Sequence, residues 1–234
     1  MYISSMRKYM PIALVFVSVY VNSGFAYAQA TYQTAAKQAI MIDFETGMVL
    51  FEKNPDEKMP TSSMSKTITT YLAFEALKAG RLKLDDKFTV SEKAWRMDGS
   101  KMFLEVDKKI SVEDLLQGII VQSGNDAAIT LAEGLAGSEE DFAISLTKKA
   151  KDLGMNNSHF ANASGWPDPE HYSTARDLAI LSYNLIKNFP EYYPYFAEKE
   201  FTHNGIKQPN RNPLLYRDMG ADGILGLDSL QGQR

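Results

Sequence analysis

The sequence contains no cysteine. That excludes disulfides, thiolate metal sites and a thiol nucleophile. It also lacks any excess of basic charge: 25 Lys and Arg stand against 29 Asp and Glu, for a formal net charge of −4. A nucleic-acid partner, with its repeating phosphates, would normally demand a Lys/Arg surplus, so no such partner is expected. Histidine is scarce. His159, His171 and His203 are the three present, none in a metal-ligand spacing such as H-E-x-x-H. They are read as structural. Internal repeats and low-complexity segments are absent too, as is an unbroken apolar run of the roughly 20 residues needed to span a bilayer.

The longest apolar stretch near the start, Ile12 to Val21, follows Arg7 and Lys8 and is broken by Asn22, Ser23 and Gly24. Ala26-Tyr27-Ala28 and Ala28-Gln29-Ala30 then offer small-x-small sites. This is the layout of a secretory signal peptide. Residues 1–30 are expected to be removed, after Ala28 or Ala30, and the protein exported to the periplasm or cell envelope without a remaining membrane anchor. The rest is ordinary globular material, 44% hydrophobic and 23% charged overall, enough for one large domain or two small lobes.

Ala39 to Lys53 reads as a hairpin across Glu45-Thr46-Gly47. A helix is expected from Pro60 to Ala79, stopped at Gly80. Leu84 to Lys109 is mixed, with a short strand-like piece at 87–90. Three capping patterns follow, each opening a helix: Ser111-Val112-Glu113-Asp114 (to about Val121), Ser138-Glu139-Glu140-Asp141 (to Leu153) and Thr174-Ala175-Arg176-Asp177 (to Lys187). Ala127 to Ala136 reads as a further buried helix, entered from a tight turn at Gln122 to Asp126. The aromatics Phe189, Tyr192, Tyr193, Tyr195 and Phe196 are expected to pack. Glu198 to Gln208 reads as a second hairpin around Asn204-Gly205, the strongest two-residue turn signal. Strands, then helices, then strands imply an α+β domain whose antiparallel sheet is completed from both ends of the chain, with flanking helices and a helical lobe.

Two spacings carry chemistry. Ser63 and Lys66 stand three apart at a helix start, which stacks them on one face. A serine hydroxyl needs an adjacent base to become a nucleophile. A lysine can be that base only if burial or a nearby cation lowers its pKa. Ser63 is therefore the candidate nucleophile and Lys66 its base. Thr61, Ser62 and Ser63 are also capping candidates. In Ser123-x-Asn125, Ser123 can relay a proton between Lys66 and a leaving group, and Asn125 offers a donor and an acceptor to a peptide-like ligand.

Ser63-Met64-Ser65-Lys66 and Ser123-Gly124-Asn125, in that order, resemble the Ser-x-x-Lys and Ser-x-Asn motifs of the serine D-alanyl-D-alanine carboxypeptidases, the low-molecular-mass penicillin-binding proteins of peptidase family S11. Ala39 to Gly47, Gly165-Trp166-Pro167-Asp168-Pro169, Tyr172 to Ala179 and Asn210-Arg211-Asn212-Pro213-Leu214-Leu215 are similar to family segments as well. The resemblance runs from about Ala36 to Ile224. It implies a β-lactamase/transpeptidase-like fold and removal of the terminal D-alanine from peptidoglycan stem peptides through an acyl-enzyme on Ser63. It implies β-lactams as covalent inhibitors of the same serine, no metal or organic cofactor, and a place in cell-wall and cell-shape maintenance.

Past Ile224 the resemblance ends. The family's Lys-Thr-Gly, expected after Ala221-Asp222-Gly223-Ile224, does not occur. The organisation expected is a signal peptide at 1–30, a carboxypeptidase-like domain at 31–224 without its last sheet strands, and an aberrant tail at 225–234 from a frameshifted or truncated gene. Reading the downstream DNA for a Lys-Thr-Gly frame tests this. In the family the strand that carries the motif helps form the oxyanion hole and supplies a cation. The resemblance therefore implies that losing it removes an oxyanion donor, at about 10² to 10³ in rate, and a charge that would help depress the Lys66 pKa. The alternatives are a non-catalytic relic with weak cell-wall contact, and a class A β-lactamase. The latter is disfavoured because Gly124 stands where Ser-Asp-Asn needs an aspartate and Glu170 is not read as a deacylating base.

Overall fold

A computed structural model describes residues 33–217 and 220–224. The signal-peptide and tail readings lie outside the described residues.

The element that orders the rest is α1 (Lys66–Lys78), continued at its N-terminus by a 3₁₀ turn at Ser62–Ser65. Ile68, Tyr71, Ala73, Phe74 and Leu77 are buried, and so are Thr67, Thr69 and Thr70. A helix covered on nearly every side belongs at the centre of a domain rather than on its surface. It is packed by α3 (Val112–Ile120), α4 (Asn125–Ala136), α5 (Glu139–Asp152) and α6 (Ala175–Asn188). α3 delivers the expected stripe: Val112, Leu115, Leu116, Ile119 and Ile120 are all buried. The aromatic cluster does pack against α1. Tyr192 stacks on Phe74 at 5.0 Å, and Phe189 meets Tyr71 edge-on at 4.8 Å.

The three predicted caps form. Ser111, Ser138 and Thr174 accept from the N–H of Asp114, Asp141 and Asp177 respectively. The reciprocal half of the box is replaced, because a short Asp stands where Glu or Gln would reach back. The Asp177 carboxylate instead accepts from Asn157 N–H at 2.9 Å and Ser158 Oγ at 2.7 Å, tying α6 to the preceding loop.

Strands β1 (Ala39–Ile42) and β2 (Val49–Lys53) make the first hairpin, and β5 (Glu200–His203) and β6 (Ile206–Pro209) the second. Asn204 and Gly205 both have positive φ, 48° and 74°, as a two-residue primed turn requires. Between them, β3 (Lys87–Thr89) pairs antiparallel with β4 (Lys109–Ser111), flanking the short helix α2 (Glu92–Arg96). The α+β class holds. The sheet joined from both ends does not form among the described residues: each hairpin is a separate two-stranded ladder. Bringing the two hairpins into one sheet would need further strands pairing along their edges, and no described segment does so. No described helix is long and apolar enough to cross a membrane.

Candidate active site

The turn before α1 presents Ser63 against Lys66. Lys66, 3% exposed, donates from Nζ to Ser63 Oγ at 3.2 Å and to the Ser164 carbonyl at 2.7 Å. Burial is the main force on its pKa, since an ammonium in the interior loses its hydration. The Arg211 guanidinium pushes the same way, Asp126 pushes back, and the result is a pKa lowered from 10.5 to about 7. The candidate base is thus poised to exchange a proton near neutrality. The capping reading of this segment fails: Thr61, at the N-cap of the turn, makes no side-chain cap bond, and neither Ser62 nor Ser63 stands at an N-cap. The Thr61 hydroxyl lies 2.6 Å from Ser65 Oγ instead.

Three backbone features clamp the turn from the loop at 160–171. Besides Ser164 O on Lys66, Ala163 O accepts from Thr69 Oγ1 at 2.7 Å. Gly165 (φ +79°) lies so close that a Cβ there would sit 1.7 Å from Ser62 O, so only glycine satisfies both its backbone conformation and the space. Asn162 Oδ1 accepts from the N–H groups of Ser164, Gly165 and Trp166 at 3.2, 2.8 and 3.0 Å. It shapes the loop that meets Lys66.

The second pair is arranged differently from the expectation. Ser123 lies in the connection between α3 and α4 with φ +62°, 2% exposed, and its Oγ is buried with no hydrogen-bond partner among the described residues. An orphan buried hydroxyl is costly and calls for a reason. Asn125 is not in the turn; it is the first residue of α4. Its N–H donates to Ser100 O at 2.7 Å and its Nδ2 to Asp98 O at 2.7 Å. The donor half is therefore engaged, and Oδ1 is the atom left to accept from a ligand. The structure joins Ser63 to Lys66 by a hydrogen bond; neither Ser123 nor Asn125 bonds to that pair.

Two residues escape the sequence motifs yet act on Lys66. Asp126 (1% exposed) accepts from the N–H groups of Met102, Leu104 and Ala127 at 3.0, 3.1 and 2.9 Å, fastening the 102–104 segment to α4. Arg211 donates its backbone N–H to Val121 O at 3.1 Å and its guanidinium to Ser100 Oγ. The flanking Asn210 and Asn212 are buried, and each accepts a backbone N–H two residues on, at 2.8 and 3.0 Å. They turn this segment so that Arg211 reaches the candidate site. The only sequence signal for Arg211 is its place in the Asn210 to Leu215 stretch. An apolar cavity of about 740 Å³ between β1 and α6 includes Met64 and Thr67 but neither Ser63 nor Lys66. Among the described residues no three metal-ligating side chains cluster.

The sequence profile of peptidase S11, described as D-alanyl-D-alanine carboxypeptidase, matches residues 25–225. The chain belongs to this family. It is 40% identical over 230 residues to D-alanyl-D-alanine carboxypeptidase DacC of Escherichia coli, covering 94% of this chain and 58% of that protein. To DacA of Haemophilus influenzae it is 39% identical over 196 residues, covering 82% and 50%. Penicillin-binding protein 5 from Haemophilus influenzae superposes with a TM-score of 0.77 at 40% identity, covering 79% of this chain and 55% of that one. Penicillin-binding protein D2 from Listeria monocytogenes, solved in an ampicillin-bound form, gives 0.74 at 33%, covering 83% and 80%. The S11 chain described here spans about half the length of the curated relatives it matches, and its fold is that of the penicillin-binding proteins.

Proposed function

We propose that this S11 chain is a serine D-alanyl-D-alanine carboxypeptidase centre acting on peptidoglycan stem peptides, with Ser63 as nucleophile. The observation that carries the reading is a buried lysine, pKa about 7, whose Nζ lies 3.2 Å from a serine hydroxyl at the head of the central helix. Neutral Lys66 takes the Ser63 proton as Oγ bonds to the carbonyl carbon between the two D-alanines. The tetrahedral intermediate collapses, the C–N bond breaks, and the leaving amine receives a proton through Ser123. Water then adds to the ester, and Ser63 regains its proton as the shortened peptide leaves. Asn125 Oδ1 accepts from the substrate amide. Arg211, whose charge already acts on Lys66, supplies the positive charge that a terminal carboxylate requires. β-Lactams, as strained acyl donors, would acylate the same serine; one relative carries ampicillin in its solved structure. The signal-like residues 1–30 support an exported protein working in the periplasm or cell envelope, with residues 31–224 as its catalytic-type domain.

Intact mass before and after a penicillin tests the reading. The expected result is a gain equal to one penicillin, mapped to Ser63 and absent in Ser63→Ala. A folded sample that gains no mass overturns it and leaves the non-catalytic relic as the better description.

A further inference from the structure

His171 is 4% exposed and takes no part in the chemistry above. Its ring meets Phe160 edge-on, with centroids 5.4 Å apart. Nδ1 accepts from the Ala161 N–H at 3.2 Å. A nitrogen that accepts from a backbone N–H carries no proton, so the neutral ring holds its proton on Nε2. Nε2–H therefore donates to Ser65 Oγ, 2.7 Å away. Ser65 Oγ in turn lies 2.6 Å from Thr61 Oγ1, and both side chains are fully buried. Burial draws the His171 pKa down to about 4, so the ring stays neutral and the direction of the chain is fixed around pH 7.

This chain of three side chains brackets the turn that holds Ser63. That turn is under strain: Ser62 adopts φ +45°, a region disfavoured for a residue with a Cβ. Its N-cap position makes no side-chain cap bond, and its first backbone bond is Met64 N–H to Thr61 O at 3.0 Å. A strained conformation persists only where its surroundings over-determine it. Thr61 and Ser65 stand at the two ends of the turn; they are tied to each other, and Ser65 is tied to His171.

We propose that His171 is a positioning residue that, through Ser65 and Thr61, holds the strained turn aiming Ser63 at Lys66. The inference deepens the acyl-transfer reading and rests on it for its kinetic consequence, though not for its structural content.

The test compares the full chain with His171→Leu, His171→Gln, Ser65→Ala and a remote core control, Leu146→Ala in α5. Leu keeps the packing against Phe160 but removes the donor. Gln places an amide N–H near the position of Nε2. Two quantities are read under conditions where every variant is folded: amide hydrogen exchange at Met64, and the second-order rate of acylation by a fluorescent penicillin. His171→Leu and Ser65→Ala are expected to speed Met64 exchange about tenfold and slow acylation about tenfold, the loss of roughly one buried hydrogen bond. His171→Gln is expected to restore both to within about threefold, and Leu146→Ala to leave both unchanged. Ser65→Ala breaks the same link should the Leu variant not fold. Unchanged Met64 exchange in the link-breaking variants, or a Gln variant as impaired as Leu, overturns the proposal. If the unmodified chain is not acylated, the functional reading falls, and the exchange measurement alone decides the positioning role.

Discussion

Replacing Lys66 with methionine should change stability in a way that depends steeply on pH. In the folded chain Lys66 titrates near 7 instead of 10.5, chiefly because it is buried. Between those two values the unfolded chain holds a proton on this side chain and the folded chain does not. Stability therefore rises with pH across that interval, by about 1.4 kcal/mol per pH unit, and is flat below about 7, where both states are protonated. Below that point the full cost of burying an ammonium is present, on the order of 5 kcal/mol. Methionine removes the charge at similar volume, so this cost vanishes. It also strips a donor from Ser63 Oγ and Ser164 O, at about 1–3 kcal/mol. The net expectation at pH 6 is a Lys66→Met variant more stable than the parent by about 2 kcal/mol. From pH 7 to 9.5 the parent should gain about 3 kcal/mol relative to the variant. Denaturant unfolding of both proteins across this range measures the difference directly. A difference that stays constant from pH 6 to 9.5 would refute the claim that the fold holds Lys66 neutral near pH 7. The candidate base would then have no physical footing.

Three further perturbations follow from the same geometry. Arg211→Ala removes the cation that helps depress the Lys66 pKa, so the rising limb of acylation rate against pH should move above its parental position near 7; an unmoved limb would separate Arg211 from Lys66. Gly165→Ala places a Cβ 1.7 Å from Ser62 O on a backbone with φ +79°; thermal unfolding should register a loss of about 3 kcal/mol or more, together with slower acylation, because the displaced partner is the Ser63 turn itself. Asp126→Ala leaves the N–H groups of Met102, Leu104 and Ala127 without their acceptor; a cost of about 3–5 kcal/mol in denaturant unfolding is expected.

What could be read in advance is what local chemistry specifies. Ser111, Ser138 and Thr174 cap their helices because the cap is a contact between residues three apart. Asn204-Gly205 turns a hairpin because its two positive φ values are a property of those residues. The Ser63 and Lys66 contact follows from one helical turn. The misses share the opposite character. The pairing of β3 with β4 joins segments some twenty residues apart through three-residue strands too short to alternate. Ser, Gly and Asn are turn residues, which by sequence alone puts Asn125 in a turn; in the fold Gly124 is the N-cap and Asn125 begins α4. Asp126 and Asn162 organise loops by collecting backbone N–H groups from elsewhere, which leaves no periodic trace.

Arg211 makes the same point for the chemistry. A lysine base needs burial or a nearby cation to lower its pKa. The fold supplies both, with unequal weight. Burial at the head of α1 acts first, and the Arg211 guanidinium, brought in by a loop turned on Asn210 and Asn212, adds to it. Because burial is the larger force, Lys66 should retain much of its depressed pKa in Arg211→Ala. Proton abstraction from Ser63 should then survive better in that variant than capture of a carboxylate-bearing substrate. The contrast is measurable: Arg211→Ala should lose more rate toward a D-alanyl-D-alanine peptide than toward a β-lactam ester, whose carboxylate is masked. Equal losses toward both would mean that Arg211 acts through Lys66 alone.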